Sequence, residues 1–188
     1  MAIQHPQETF AGAFSDRGVA VDLVDWSETI WCGKIGYAAD NTGEPDVGEI
    51  MDGFQRLDRS QAAGRLEADW DVCMSVHYLS AERPNGVMFG FLVSTERQPN
   101  GFDVYRAPAA RYARIRICDE TARALGHEPW RGGIPPYEWI GEQLAPTFGY
   151  RYGDVALPIF EYYGFYCPER RAHDFCYLYV PVSKAEAC

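Results

Sequence analysis

The order strand, strand, helix, strand, strand occurs twice along this chain of 188 residues. Equivalent runs lie roughly 80 to 88 residues apart, a period far beyond solenoid repeats. In the first pass, Val19 to Asp25 alternates apolar and polar residues, and Ile30 to Tyr37 follows after a short bend. Glu44-Pro45-Asp46 opens a helix in which Val47, Ile50, Met51, Phe54 and Leu57 recur on one face. Asp71 to Leu79 and Val87 to Ser94 read as strands separated by the turn sequence Arg83-Pro84-Asn85-Gly86. In the second pass, Phe102 to Ala107 and Arg111 to Cys118 are strands joined by the bend Pro108-Ala109-Ala110. Asp119 caps a short helix through Leu125, ended by Gly126. Tyr137, Ile140, Leu144 and Phe148 form one face of the main second helix, and strands at Ala156 to Phe165 and Asp174 to Val182 close the half. The expectation is an α+β domain over residues 18–185, with repeat one at about 18–96 and repeat two at about 100–183. Residues 1–17 are expected to form a tail, since Met1 to Asp16 lack periodicity. Identity between the halves is too low to prove duplication, which leaves two unrelated α+β halves as the alternative. If the repeat is real, two sheet-and-helix units face each other, and a cleft between such units is a preferred ligand site.

Within the second repeat, Leu157-Pro158-Ile159-Phe160-Glu161-Tyr162-Tyr163-Gly164-Phe165-Tyr166 reads as a buried aromatic strand whose only carboxylate is Glu161. Isolating a carboxylate among aromatics costs several kcal/mol unless something compensates it. The compensation is a buried donor inside the fold, a protonated carboxyl, or a cationic ligand that stacks on neighbouring rings such as Tyr163. Cation–π attraction would add about 0.5–2 kcal/mol per well-placed ring. Composition fits the third choice. The chain carries 12 Tyr, 10 Phe and 5 Trp, more tyrosines than a core alone needs, because each hydroxyl requires a partner. The net charge of −10 repels nucleic-acid phosphates and anionic membranes and favours cationic ligands.

Other positions leave alternatives open. Tyr112, Arg114 and Arg116 share one strand face and Arg111, Ala113 and Ile115 the other, so neither face is cleanly apolar. Tyr112 either points into a cleft or covers a sheet edge. Phe175, Tyr177 and Tyr179 form an aromatic stripe in the last strand, and Phe89, Phe91 and Val93 one in the fourth; each lines a cavity or fills a core. Trp31 and Tyr37 are core by default and cleft-lining only if the repeat geometry holds. Trp139 lies off its helix face, as exposed flank or pocket wall. The segment from His127 to Pro136, with its lone Trp130, is a surface loop or a flap over the cleft.

No P-loop, G-x-G-x-x-G, nucleophile elbow or H-E-x-x-H occurs, and the four histidines are scattered. The six cysteines lack C-x-x-C spacing and zinc-like pairing with histidine, so they read as small buried hydrophobes in a reducing compartment. No metal and no cofactor is expected. The N-terminus does not read as a signal peptide and no window approaches a membrane span, which places the expected location in the cytoplasm.

Several motifs together resemble the gyrase-inhibitor-like (GyrI-like) small-molecule-binding family, which also supplies effector-binding domains of AraC-type and MerR-type multidrug regulators. They are the strand–Pro–strand run from Gly101 to Ala113, Phe160-Glu161-Tyr162-Tyr163, the terminal Tyr177-Leu178-Tyr179-Val180-Pro181-Val182, and Val87-Met88-Phe89-Gly90. The resemblance covers roughly Val19 to Val182. It implies two pseudosymmetric βαββ-type units with antiparallel sheets and a cleft between them. It also implies a stand-alone domain in which Glu161 meets hydrophobic cationic ligands and Tyr112 lines the pocket. Phe175 stands where related domains often place a tyrosine, and the connection from His127 to Pro136 is longer than the family pattern. Some stand-alone relatives resemble hydrolases of electrophilic cyclopropane compounds, for which Glu161 and Tyr112 would be an acid/base pair. A protein-interaction module, like the gyrase-contacting namesake, is the third reading. The expected ligand-binding set is thus Glu161, Tyr112, Tyr163, Phe175, Phe91, Trp139, Tyr37 and Trp31. The expected partner is a hydrophobic or cationic small molecule, with no direct nucleic-acid or membrane contact and a protein partner as a further option.

Overall fold

The computed structural model describes residues 8–39, 43, 45–66, 71–76, 86–124, 139–152, 157–163 and 176–185. In chain order the strands are β1 (Glu8–Asp16), β2 (Val19–Trp26), β3 (Thr29–Tyr37), β4 (Asp71–Val76), β5 (Gly86–Val93), β6 (Asp103–Ala107), β7 (Ala110–Ile117), β8 (Tyr150–Tyr152), β9 (Phe160–Tyr163) and β10 (Cys176–Lys184). Helix α1 (Val47–Gln55) follows β3, with Asp46 as N-cap accepting from the Glu49 amide at 3.0 Å. Helix α2 (Asp119–Ala124) follows β7. A π-helical segment, Trp139–Leu144, runs on into a short helical turn, Ala145–Thr147; the two together are called α3. The turn at 83–85, Gly126, Tyr137 and the 127–136 connection lie outside the described residues.

The strands form one antiparallel sheet in the order β1-β2-β7-β10-β9-β4-β5-β3-β6, with β8 added on β10. Leaving β1 and β8 aside, that order is palindromic: each strand of the first repeat matches its counterpart reflected about the β9–β4 junction. The two first strands are exchanged, so β2 lies beside repeat two and β6 beside repeat one. The register supports an equivalence. Trp26 and Thr29 bound one two-residue link, Ala107 and Ala110 the other, so Gly33 corresponds to Arg114. Their partners are Gly90 and Tyr179. Those in turn pair with Val72 and Phe160. Cys73 is then the equivalent of Glu161, and the two are direct register partners. The pseudo-two-fold axis passes through this pair.

Two-residue links cannot cross a flat sheet of this width, so the sheet curls and its two ends meet. The inner face is filled by Trp26, Trp31, Met88, Leu92, Tyr112, Phe160 and Tyr179. Their rings interlock: Phe160 stacks on Tyr179 at 4.3 Å, and the edges of Trp26 and Tyr112 meet Phe160 at 5.0 and 5.1 Å. The outer face carries two separate cores. One joins Val21, Leu23, Ile115, Leu178 and Val180 to Trp139 and Ile140 of α3. The other joins Cys32, Phe89 and Phe91 to Ile50 and Phe54 of α1. Helix α1 packs closely because β3 offers Gly36, where a Cβ would stand 2.3 Å from Ile50 Cγ1.

The N-terminal segment corrects the expectation of a loose tail. Glu8–Asp16 is a strand, paired to β2 along its length through a bulge between Phe10 and Gly12. Phe148, expected on the buried face of the second helix, is 42% exposed and stacks on Phe14 at 4.5 Å.

Candidate functional site

Glu161 occupies the floor between the two outer cores. Phe160 points inward onto Tyr179, so strand alternation turns Glu161 to the outer face. Register places it in a row Ile115, Leu178, Glu161, Cys73, Phe89 across four adjoining strand pairs. Ile115 and Leu178 belong to the core under α3 and Phe89 to the core under α1. The carboxylate is half-buried and takes part in an interaction with its surroundings, so it is not the isolated group the sequence suggested. The arrangement is a negatively charged spot on an apolar floor, flanked by one helix from each repeat. Such a floor offers a cation both a charge partner and apolar contact.

The remaining expected site residues divide between faces. Tyr112 and Trp31 are 2% and 1% exposed and sit inside the inner aromatic core. They occupy equivalent positions in the two repeats. Burial raises the Tyr112 phenol well above its ordinary range, with nearby Tyr105 adding to the effect. The sheet itself separates Tyr112 from Glu161, and this corrects the expectation that both meet one ligand or one substrate. Phe91 and Trp139 are on the outer face but fully buried, each in a different core. Phe91 packs 6.3 Å from Phe54 and carries the Arg65 guanidinium over its ring at 4.4 Å. Tyr37 ends β3, half-buried, and is an electrostatic neighbour of Tyr105. Tyr163 pairs through its backbone with Cys176 and Asp71, and its side chain lies outside the described residues, as do Phe175 and Trp130.

Sequence reasoning missed a buried polar cluster on the inner face. Arg114 donates to Glu8 Oε1 and to Asp22 Oδ2, each at 2.5 Å. Tyr179 and the Trp26 indole donate to Glu8 Oε2 at 2.8 and 3.2 Å. Burial opposes the charge on Arg114, but Asp22, Tyr179 and Glu8 hold it firmly protonated. Burial first, and Glu8 second, drive the Tyr179 phenol well above its usual range. The signal available in the sequence was the Arg114 side chain sharing a strand face with Tyr112.

Among the described residues no group of three or more His, Cys, Asp or Glu side chains is placed to hold a metal ion. No helix among them is long and apolar enough to cross a membrane.

No protein-family model and no curated protein matches the sequence. Solved structures do share the fold. The C-terminal domain of EcmrR superposes with a TM-score of 0.56 at 16% identity, covering 89% of this chain and 99% of that one. SAV2435 bound to tetraphenylphosphonium gives 0.50 at 12% identity, over 87% of this chain and 93% of that one. EcmrR in a DNA complex gives 0.55 at 14% identity, over 88% of this chain but 57% of that one. The chain is an α+β protein with the fold of the EcmrR C-terminal domain and of SAV2435.

Proposed function

We propose that this chain is a GyrI-like domain that binds hydrophobic, aromatic, cationic small molecules on its outer face, in the groove between α1 and α3, with Glu161 as the charge partner. One observation carries the reading: the half-buried carboxylate lies on the pseudo-two-fold axis, between two helix-covered apolar cores. The fold likeness to SAV2435, whose structure is bound to tetraphenylphosphonium, supports the ligand class, and the net charge of −10 adds a favourable long-range field. Hydrolysis by a Glu161–Tyr112 pair has no such support, because the two side chains occupy opposite faces of the sheet.

The test is a titration of tetraphenylphosphonium and of neutral triphenylphosphine oxide against the wild type and Glu161→Gln. A desolvated charge contact contributes about 1.5–3 kcal/mol, so the cation should lose about 10- to 150-fold in affinity on substitution while the neutral compound changes little. Equal losses for both compounds, or none for the cation, would sink the assignment.

A further inference from the structure

The first residue of β1 does something the rest of that strand does not. Thr9, Phe10, Ala11, Ala13 and Ser15 are exposed, whereas Glu8 is buried with 2% of its side chain accessible. Among the described strands β1 pairs with β2 alone. Glu8 therefore supplies the main buried polar anchor of an otherwise superficial strand. Its carboxylate enters a set of three converging donors from three strands: the Arg114 guanidinium of β7 on Oε1, and the Tyr179 hydroxyl of β10 and Trp26 indole of β2 on Oε2. A guanidinium, a phenol and an indole that donate to both oxygens of one carboxylate form a complete recognition site for that group. Arg114 is further fixed by Asp22 and lies 5.0 Å over the Tyr177 ring. Among the described residues its Nε is buried without an acceptor, so the guanidinium has donor capacity that Glu8 does not use.

We propose that Arg114, Tyr179 and Trp26 constitute a carboxylate receptor that the chain fills with its own Glu8, so that β1 acts as a strap latched by that one side chain. When the Glu8 carboxylate is absent, the strap opens as a unit and the vacated receptor takes a free small carboxylate such as acetate. Three features of the geometry favour this over a general packing role. The donors belong to β2, β7 and β10 and keep their places when β1 leaves. Asp22 and the Tyr177 ring hold Arg114 in position independently of Glu8. The remainder of β1 makes one partly buried apolar contact, Phe14 against the core under α3 and the Phe148 ring, while Phe10 is 58% exposed.

Hydrogen exchange followed residue by residue tests the strap. Breaking a buried ion pair costs about 3–5 kcal/mol, or more than 100-fold in an opening equilibrium. In Glu8→Ala, β1 amides should therefore exchange at least about 100-fold faster than in wild type, with a much smaller change in β10. Sodium acetate, compared with sodium chloride at equal ionic strength, should raise the melting temperature of Glu8→Ala but not of wild type. It should lose that effect in Glu8→Ala/Arg114→Met. If Glu8→Ala is too unstable to purify, Glu8→Gln, which keeps one acceptor, serves for the same comparison. Wild-type protection of β1 in the variants, or equal effects of acetate and chloride, would overturn the proposal.

Discussion

If the inner aromatic cluster is a filled core and the ligand lies on the other side of the sheet, substitutions at Tyr112 must separate stability from binding. The Tyr112 ring is 2% exposed and meets Phe160 at 5.1 Å and Tyr179 at 6.2 Å, both edge to face. An aromatic side chain of this kind buries about 150–250 Å², or about 4–6 kcal/mol at ~25 cal/mol per Å². Measured losses for aromatic-to-alanine changes in cores run at about 3–5 kcal/mol. Taking about 4 kcal/mol for Tyr112→Ala, a domain of this length should melt roughly 8–16 °C lower. Tyr112→Phe keeps the ring and should cost about 1 kcal/mol or less. Thermal melts by circular dichroism supply the first readout, and titration with tetraphenylphosphonium well below the melting point supplies the second. Tyr112→Phe should bind the cation within about two-fold of wild type, since the hydroxyl is separated from Glu161 by the sheet. A ten-fold loss of cation affinity in Tyr112→Phe with an unchanged melt would refute the two-face argument. So would a Tyr112→Ala melt within about 3 °C of wild type.

Two further outcomes follow from the packing. Gly33→Ala places a Cβ 1.9 Å from the Phe89 carbonyl oxygen and 2.5 Å from Gly90 Cα, so β3 and β5 must separate locally. The expected destabilisation is about 3 kcal/mol or more, read in urea unfolding; a loss under 1 kcal/mol would show that the strand pair is looser than its register implies. Cys32 is buried, and burial pushes its thiol up to about 11 from 9.0, with Asp103 adding to the effect. The folded state then holds this proton where the unfolded state releases it, so the thiol leaves stability unchanged below pH 9 and lowers it as pH rises from 9 to 11. Denaturant titrations of wild type and Cys32→Ala across that window should diverge, and parallel curves would remove the effect.

The duplicated element order was legible because each repeat carries its own periodicities: alternation in Val19–Trp26, and Ile50 with Phe54 on the buried face of α1. The strand β1 was not, and its bulge explains why. Phe10 pairs with Val24 and Phe14 with Val21, residues on opposite faces of the sheet, so the two phenylalanines break the period of two on which sequence reading depends. The face carrying Tyr112 and Arg114 looked unfit for a core because the groups that neutralise Arg114 lie 106 and 92 positions away in sequence. Glu161 stands out in the sequence as a carboxylate in an apolar strand, but the side of the sheet that its neighbours face does not. The strands to either side, β10 and β5, are covered on both faces, one by rings and one by helices. A strand buried on both faces gives no alternation from which to choose.

The equivalence of Cys73 and Glu161 gives the groove a consequence that its chemistry can be tested on. The repeats keep an aromatic ring at one equivalent core position, Trp31 and Tyr112, though not at Gly90 and Tyr179. They diverge at the axis, where one carries a carboxylate and the other a cysteine. Directly opposed side chains in an antiparallel pair have Cβ atoms about 4.5–5.5 Å apart. Two carboxylates at about 5 Å repel by about 3 kcal/mol at an effective dielectric constant of ~20, reduced at a half-buried site to about half that by solvent screening. Cys73→Glu should therefore lower stability by about 1–2 kcal/mol at pH 7. The introduced carboxyl keeps its proton to higher pH in the folded state than in the unfolded one. The loss relative to wild type should accordingly shrink as pH falls towards 4. A bound cation relieves the same repulsion, so tetraphenylphosphonium should bind Cys73→Glu about ten-fold more tightly than wild type and raise its melting temperature by a larger increment. A purely structural Glu161, remote from any ligand, would give the pH-dependent loss of stability with no gain in cation affinity. A variant showing neither effect would mean that the two positions do not face each other across the axis.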